Sequence, residues 1–170
     1  MEDQQQHRLG KSQQLLTMSS SADNRDIALS LANQAQKSLC ILTRDLEHAV
    51  YNTPEFAAAI AQLATRHRYS MVRILMHDAT AVLRRTHRLV DLSQRLSSSI
   101  HIRQPHEEHR GFTQAFLVAD DTGYLRRVIA SRYEGTASFN APAEARELMQ
   151  LFDRIWEKSA PDLELRRLHL

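Results

Sequence analysis

Between Thr113 and Asn140 the chain reads TQAFLVADDTGYLRRVIASRYEGTASFN. An apolar run stops at Asp120-Asp121-Thr122-Gly123 and a second apolar run follows at once. Acidic residues and a glycine between two such runs are a hairpin signal. Strands are therefore expected over about Gln114 to Ala119 and Tyr124 to Ser131. Gly135-Thr136-Ala137-Ser138 then leads to Asn140, the expected cap of a helix from Ala141 to Lys158. Pro142 is tolerated in the first turn of that helix. Leu148, Leu151, Phe152, Ile155 and Trp156 give it a broad apolar stripe.

The upstream half alternates two periods. Asp23 or Asn24 can cap a helix reaching about Gln36, with Ile27, Ala28, Leu31 and Ala35 at helical spacing. Ser38 to Thr43 is a short apolar run suited to a buried strand. Thr53-Pro54-Glu55 opens a helix that carries Phe56, Ala59, Ile60, Leu63 and Ala64 on one side. Ser70 to Met76 reads as a second buried strand, Asp78 to about Leu96 as a helical region, and Ser98 to Arg103 as a third strand. Gln104 to Arg110 is polar and proline-marked, hence a loop, and Leu163 to Leu168 reads as a last strand. The order α-β-α-β-α-β-β-β-α-β predicts one α/β sandwich with a mostly parallel sheet. Met1 to Ser21 is rich in Gln and Ser and reads as a mobile tail, with at most a short helix at Gln13 to Met18. The domain is then 22–170.

Composition removes several classes. Cys40 is the single cysteine, so no intramolecular disulfide forms, and its setting in Leu39-Cys40-Ile41-Leu42 reads as a small buried hydrophobe. No apolar stretch approaches the ~20 residues of a membrane helix. The N-terminus lacks the apolar segment of a secretory signal, so a cytoplasmic location is the default expectation. The chain has 4 glycines and no glycine-rich phosphate loop. His106-Glu107-Glu108-His109 lacks zinc-protease spacing and follows Pro105. No metal and no cofactor are expected.

Net charge is only +2, so local clustering decides whether an anion is held. Arg84, Arg88 and Arg95 would share a face if one helix carried all three. With His87 and Arg110, Arg84 and Arg88 are candidate anion-binding groups. Asp91 on the same side offers the other reading, a solvated and internally paired face. His77-Asp78 ends the second strand, where open α/β sheets place ligands. There too a plainer reading stands, an aspartate cap beside an exposed histidine.

The stretch from Thr113 to Asn140 resembles half of a phospholipase D-type domain. That family carries His-x-Lys-x4-Asp at the end of a strand and Gly-Ser-x-Asn before a helix. MVRILMHD (71–78) and FDRIWEKS (152–159) also fit its pattern, and the resemblance covers about Asp23 to Leu168. Placing the acidic position on Asp120 puts Thr113 where the family has its His and Ala115 where it has its Lys. Gly135-Thr136-Ala137-Ser138 stands for Gly-Ser-x-Asn, with Ser138 for the Asn and a longer gap after Asp120. The resemblance implies that the family His forms a phospho-enzyme and the Lys stabilises phosphoryl charge. A threonine without a base and an alanine without charge do neither.

The resemblance therefore implies a catalytically silent domain that binds a phosphate-containing anion or a protein partner. Thr113, Asp120, Gly135, Thr136 and Ser138 are its expected ligand-binding residues. Because family members need two facing halves, it also implies a homodimer, with Thr113, Asp120, Thr136 and Ser138 lining a shared cleft. Read without the resemblance, the same residues are ordinary turn and capping groups. One alternative is a divergent phosphodiesterase or nuclease using relocated groups from His77, Asp78, His87 and Asp120. Another is a nucleic-acid-binding regulator that uses the basic helix face.

Overall fold

A computed structural model of the chain describes residues 6–111 and 113–161. Its elements are β1 (Leu16–Met18), α1 (Ser21–Gln34), β2 (Ser38–Thr43), α2 (His48–Tyr51), α3 (Pro54–Arg66), β3 (Met71–Met76), α4 (Thr80–Arg84), α5 (Arg88–Arg95), β4 (Ile100–Gln104), β5 (Ala115–Ala119), β6 (Gly123–Arg127), β7 (Gly135–Ser138), α6 (Pro142–Glu157) and β8 (Ala160–Pro161). They build one mixed sheet in the order β1-β7-β6-β5-β2-β3-β4-β8.

The α/β architecture matches the sequence reading, but the sheet, expected to be mostly parallel, is mixed with antiparallel pairings in the majority. The parallel pairings are β2–β3 and β3–β4; the other five are antiparallel. Connection length explains the division. Parallel neighbours need a crossover, which α3 and then α4–α5 supply, whereas the short links from β5 to β7 permit only antiparallel returns.

Successive side chains on each strand point to opposite faces. Leu39 and Ile41 of β2 enter the larger core beneath α1, α2, α3 and α5. Cys40 and Leu42 enter the smaller core beneath α6. Strands covered on both faces read as unbroken apolar runs, which is why 38–43 and 115–119 stood out. Burial pushes the Cys40 thiol up to about 12, so it stays an inert hydrophobe.

Local chemistry sets the element ends. Thr53 Oγ1 accepts from the Phe56 amide at 3.1 Å, capping α3 as expected. α1 is capped by Ser20, whose Oγ accepts from the Asp23 amide at 3.1 Å. Asn24, one expected cap, is buried instead and donates to the carbonyls of Ser20 and Tyr133, both at 2.9 Å. Ala141, not Asn140, caps α6, and it does so without a side-chain bond.

The helical region expected from Asp78 to Leu96 is two helices. His87 turns inward between them and accepts from the Leu89 amide at 3.1 Å, starting α5 afresh. Gly135–Ser138, expected as a run-in to a helix, is strand β7. A Cβ at Gly135 would lie 2.3 Å from the Arg126 carbonyl oxygen, so close backbone approach demands glycine there.

The segment 6–20, read as part of a tail, is fastened. β1 adds to β7, Gly10 N–H donates to the Phe139 carbonyl at 2.8 Å, and Leu9 N–H to Gln34 Oε1 at 2.8 Å. The open edge of β7 supplies partners that composition does not reveal. Residues 13–15 are irregular and 16–18 extended, in place of the expected short helix. The expected strand Leu163 to Leu168 lies outside the described residues.

Candidate functional site

Antiparallel pairing of β5 on β2 brings the start of β5 to the carboxyl ends of β2 and β3. A cleft of about 310 Å³ opens there. Arg44 follows β2, His77 follows β3, and Thr113 and Gln114 precede β5. Arg110 reaches in from the β4–β5 connection, and Ile129, Ala130 and Ser131 form the wall after β6.

Two guanidiniums, one imidazole and two hydroxyls thus surround a space of phosphate-ester size. Arg44 and Arg110 are exposed and His77 is partly buried. That burial, with the charges of Arg110 and Arg44, pulls the His77 pKa below the ordinary histidine value. Near neutral pH its ring is therefore uncharged, and the cleft's positive charge comes from the arginines. Asp78 is engaged by the first residue of α4. Its Oδ1 accepts from the Thr80 amide at 2.9 Å, and that bonding holds its carboxyl below the usual range.

A buried ion pair fixes the walls. Arg127 and Glu47 have side chains only 3% and 17% exposed. Arg127 Nη1 donates to Glu47 Oε2 at 2.9 Å, and Nη2 donates to Glu47 Oε1 and, at 2.7 Å, to the Ala130 carbonyl. Ala130 N–H in turn donates to the Thr113 carbonyl at 2.7 Å. One contact chain therefore joins the segment after β2, the segment after β6 and the start of β5.

A histidine pair lies behind the first of these segments. His87 is 1% exposed, and its Nε2–H donates to the Leu46 carbonyl at 2.9 Å. His48 Nδ1 accepts from Asn52 Nδ2 at 2.6 Å, and the two rings stand 5.4 Å apart. Burial lowers the His87 pKa to about 4. Its neutral ring therefore favours folding fully above about pH 6.5, and this contribution fades as the pH falls toward the folded value.

Of the residues expected from sequence, Thr113 and Arg110 line the cleft. Gly135 and Thr136 lie in β7, with β6 intervening between it and β5 and thus about 10 Å of sheet between them. Asp120 and Ser138 sit at the far ends of their strands. Asp120 has φ 53° and Asp121 φ 54°, a left-handed pair in the turn that the Thr122 N–H closes by donating to the Ala119 carbonyl at 3.0 Å. The Asp120 carboxylate accepts from the amides of Gln36, Lys37 and Ser38 at 2.8, 2.8 and 3.0 Å. Ser138 is 3% exposed, and its Oγ accepts from the Asn140 amide at 3.3 Å. The expected gathering of Thr113, Asp120, Thr136 and Ser138 in one cleft does not occur within this chain.

The basic helix face also dissolves. Arg84 is exposed at the end of α4, the His87 ring is committed inside, and Arg88 donates to Asn52. Arg44, Gln114, Glu47 and Arg127 were not singled out from sequence. For Arg44 a signal existed, since it follows β2 as His77 follows β3.

Solved structures share this fold. Nuc from Salmonella typhimurium, a phospholipase D family member, aligns with 88% of this chain and 97% of its own, at TM-score 0.62 and 13% identity. NucT from Helicobacter pylori aligns with 88% of this chain and 100% of its own, at TM-score 0.58 and 11% identity. TrmBL2, an archaeal chromatin protein with a novel mode of DNA binding, aligns with 87% of this chain and 53% of its own, at TM-score 0.65 and 12% identity. The fold is thus of the phospholipase D type. Residues 20–168 match the family described as a domain of unknown function, DUF7931, and the chain belongs to that family. No curated protein matches the sequence. No helix among the described residues is long and apolar enough to cross a membrane.

Proposed function

We propose that this chain is a phospholipase D-like domain without phospholipase D-type catalysis, which binds a phosphate-containing anion between Arg44 and Arg110. The carrying observation is the composition of the cleft at the strand ends. It keeps paired guanidiniums, while Thr113 and Ala115 stand at the motif places of the family's nucleophile and its charge-stabilising lysine. A guanidinium matches two phosphoryl oxygens at once, whereas a threonine without a base attacks phosphorus poorly. The active unit in this reading is a homodimer whose clefts face each other. Val128 and Ile129, 61% and 43% exposed beside the cleft, support that arrangement.

Calorimetric titration with inorganic sulfate or pyrophosphate tests the reading. Loss of both cations, Arg44→Ala with Arg110→Ala, weakens binding by at least about tenfold, since charge-assisted bonds are each worth about 1.5–3 kcal/mol. Thr113→Ala changes it little. The reading fails if the double variant binds like the parent. It also fails if the parent cleaves bis(p-nitrophenyl) phosphate and Thr113→Ala abolishes that cleavage.

The DNA-binding neighbour favours a second reading, a nucleic-acid backbone as the anion. Affinity for an oligonucleotide would then fall steeply with salt, and the same arginine pair would be required.

A further inference from the structure

We propose that His48 and His87 form an acid-released latch on residues 44–52, the segment that carries Arg44 to the cleft and Glu47 to its ion pair with Arg127. Both rings accept a hydrogen bond at Nδ1 from a group that can only donate. The donor is the Leu89 amide for His87 and the Asn52 side-chain amide for His48. Each ring must therefore carry its proton on Nε2, and protonation at Nδ1 breaks that bond. His87 Nε2–H is spent on the Leu46 carbonyl, while His48 Nε2 is buried without a partner.

The latch spans two elements. His87 joins Leu46 to the first turn of α5. Asn52 joins His48 to the Thr86 carbonyl at 3.2 Å and accepts from the Arg88 amide at 3.0 Å. The groups acting on His87 are His48 from α2 and Arg88 and Asp91 from α5; Glu47, beside His48, is held by Arg127. Two rings 5.4 Å apart cannot both take up charge here without like-charge repulsion, and Arg88 adds to it. Leu46, buried with φ 52°, is held in a conformation that leucine leaves readily once released.

The direction of the effect is distinctive. Protonation of His77 adds charge to the cleft and would tighten anion binding in acid. Release of Arg44 loosens it.

Hydrogen exchange of the full chain tests the latch without any ligand. If opening frees His87, the open form becomes about thirtyfold more populated between about pH 7.5 and about pH 5. After correction for intrinsic rates, protection then falls together in 44–52 and 86–92 while α6 keeps its own. In His87→Gln the fall is abolished. The latch is overturned if wild-type protection in both segments is unchanged in acid, or if α6 loses protection equally. These wild-type outcomes decide the matter even if the variant fails to fold.

The binding arm rests on the anion reading and uses sulfate, whose charge is constant across this range. In a His77→Gln background, which removes the opposing charge, affinity falls several-fold in acid and no longer does so once His87→Gln is added; a rise would overturn the coupling. Absence of sulfate binding at neutral pH would refute the anion reading, with the exchange result still judging the latch.

Discussion

Glu47→Ala lowers the thermal midpoint by about 10 °C and, on the proposed anion-binding function, removes sulfate binding. Taking away the carboxylate leaves the Arg127 guanidinium buried and uncompensated, a change that costs about 3–5 kcal/mol. For a domain of this size that corresponds to roughly 6–20 °C. The loss of binding follows from position, because the same pair ties the segment holding Arg44 to the Ala130 wall. Circular dichroism melts and calorimetry measure the two effects. The Arg73–Asp153 pair is a fair control: its side chains are 22% and 52% exposed, so Asp153→Ala costs under about 1 kcal/mol. A Glu47→Ala protein that melts no lower than this control would show the buried pair to be dispensable.

Phe152→Ala destabilises the fold by about 3–5 kcal/mol, the range for emptying a fully buried aromatic site. Phe152 is completely buried on the inner face of α6, stacks on Trp156 at a centroid distance of 5.7 Å, and its ring centroid lies 5.0 Å from the Arg73 guanidinium. Among the described residues α6 is the one helix on that face, so no neighbouring helix can close the void. Urea denaturation gives the loss directly. Hydrogen exchange adds that α6 opens first, ahead of α1 and α3. A loss under about 1 kcal/mol would mean that the smaller core repacks freely, contrary to its geometry.

Much of the scaffold was legible from residues 38–43, 54–66 and 115–119, because strands buried on both faces and a capped amphipathic helix leave strong periodic signals. β1 and β7 were not. Each is short, and β1 exists by pairing with a partner about 120 residues away. The break between α4 and α5 was hidden because His87 reads as polar, yet it is buried once Leu46 supplies an acceptor. Of the residues singled out from sequence, Arg110 and Thr113 line the cleft. Arg44 and the Glu47–Arg127 pair were missed because their meaning depends on β5 lying beside β2, a tertiary fact. Asp120 and Ser138 looked like site residues because sequence proximity does not tell the two ends of a strand apart.

Asp120 illustrates a general hazard in reading short sequence motifs. Its carboxylate clasps three successive main-chain amides where α1 hands over to β2, and its left-handed backbone closes the hairpin. An aspartate so employed is held in place by architecture, whatever becomes of the chemistry at the other end of the strand. Presence of that acid alone therefore carries no information about hydrolysis, and a search weighted toward it would gather domains of one fold whatever their chemistry.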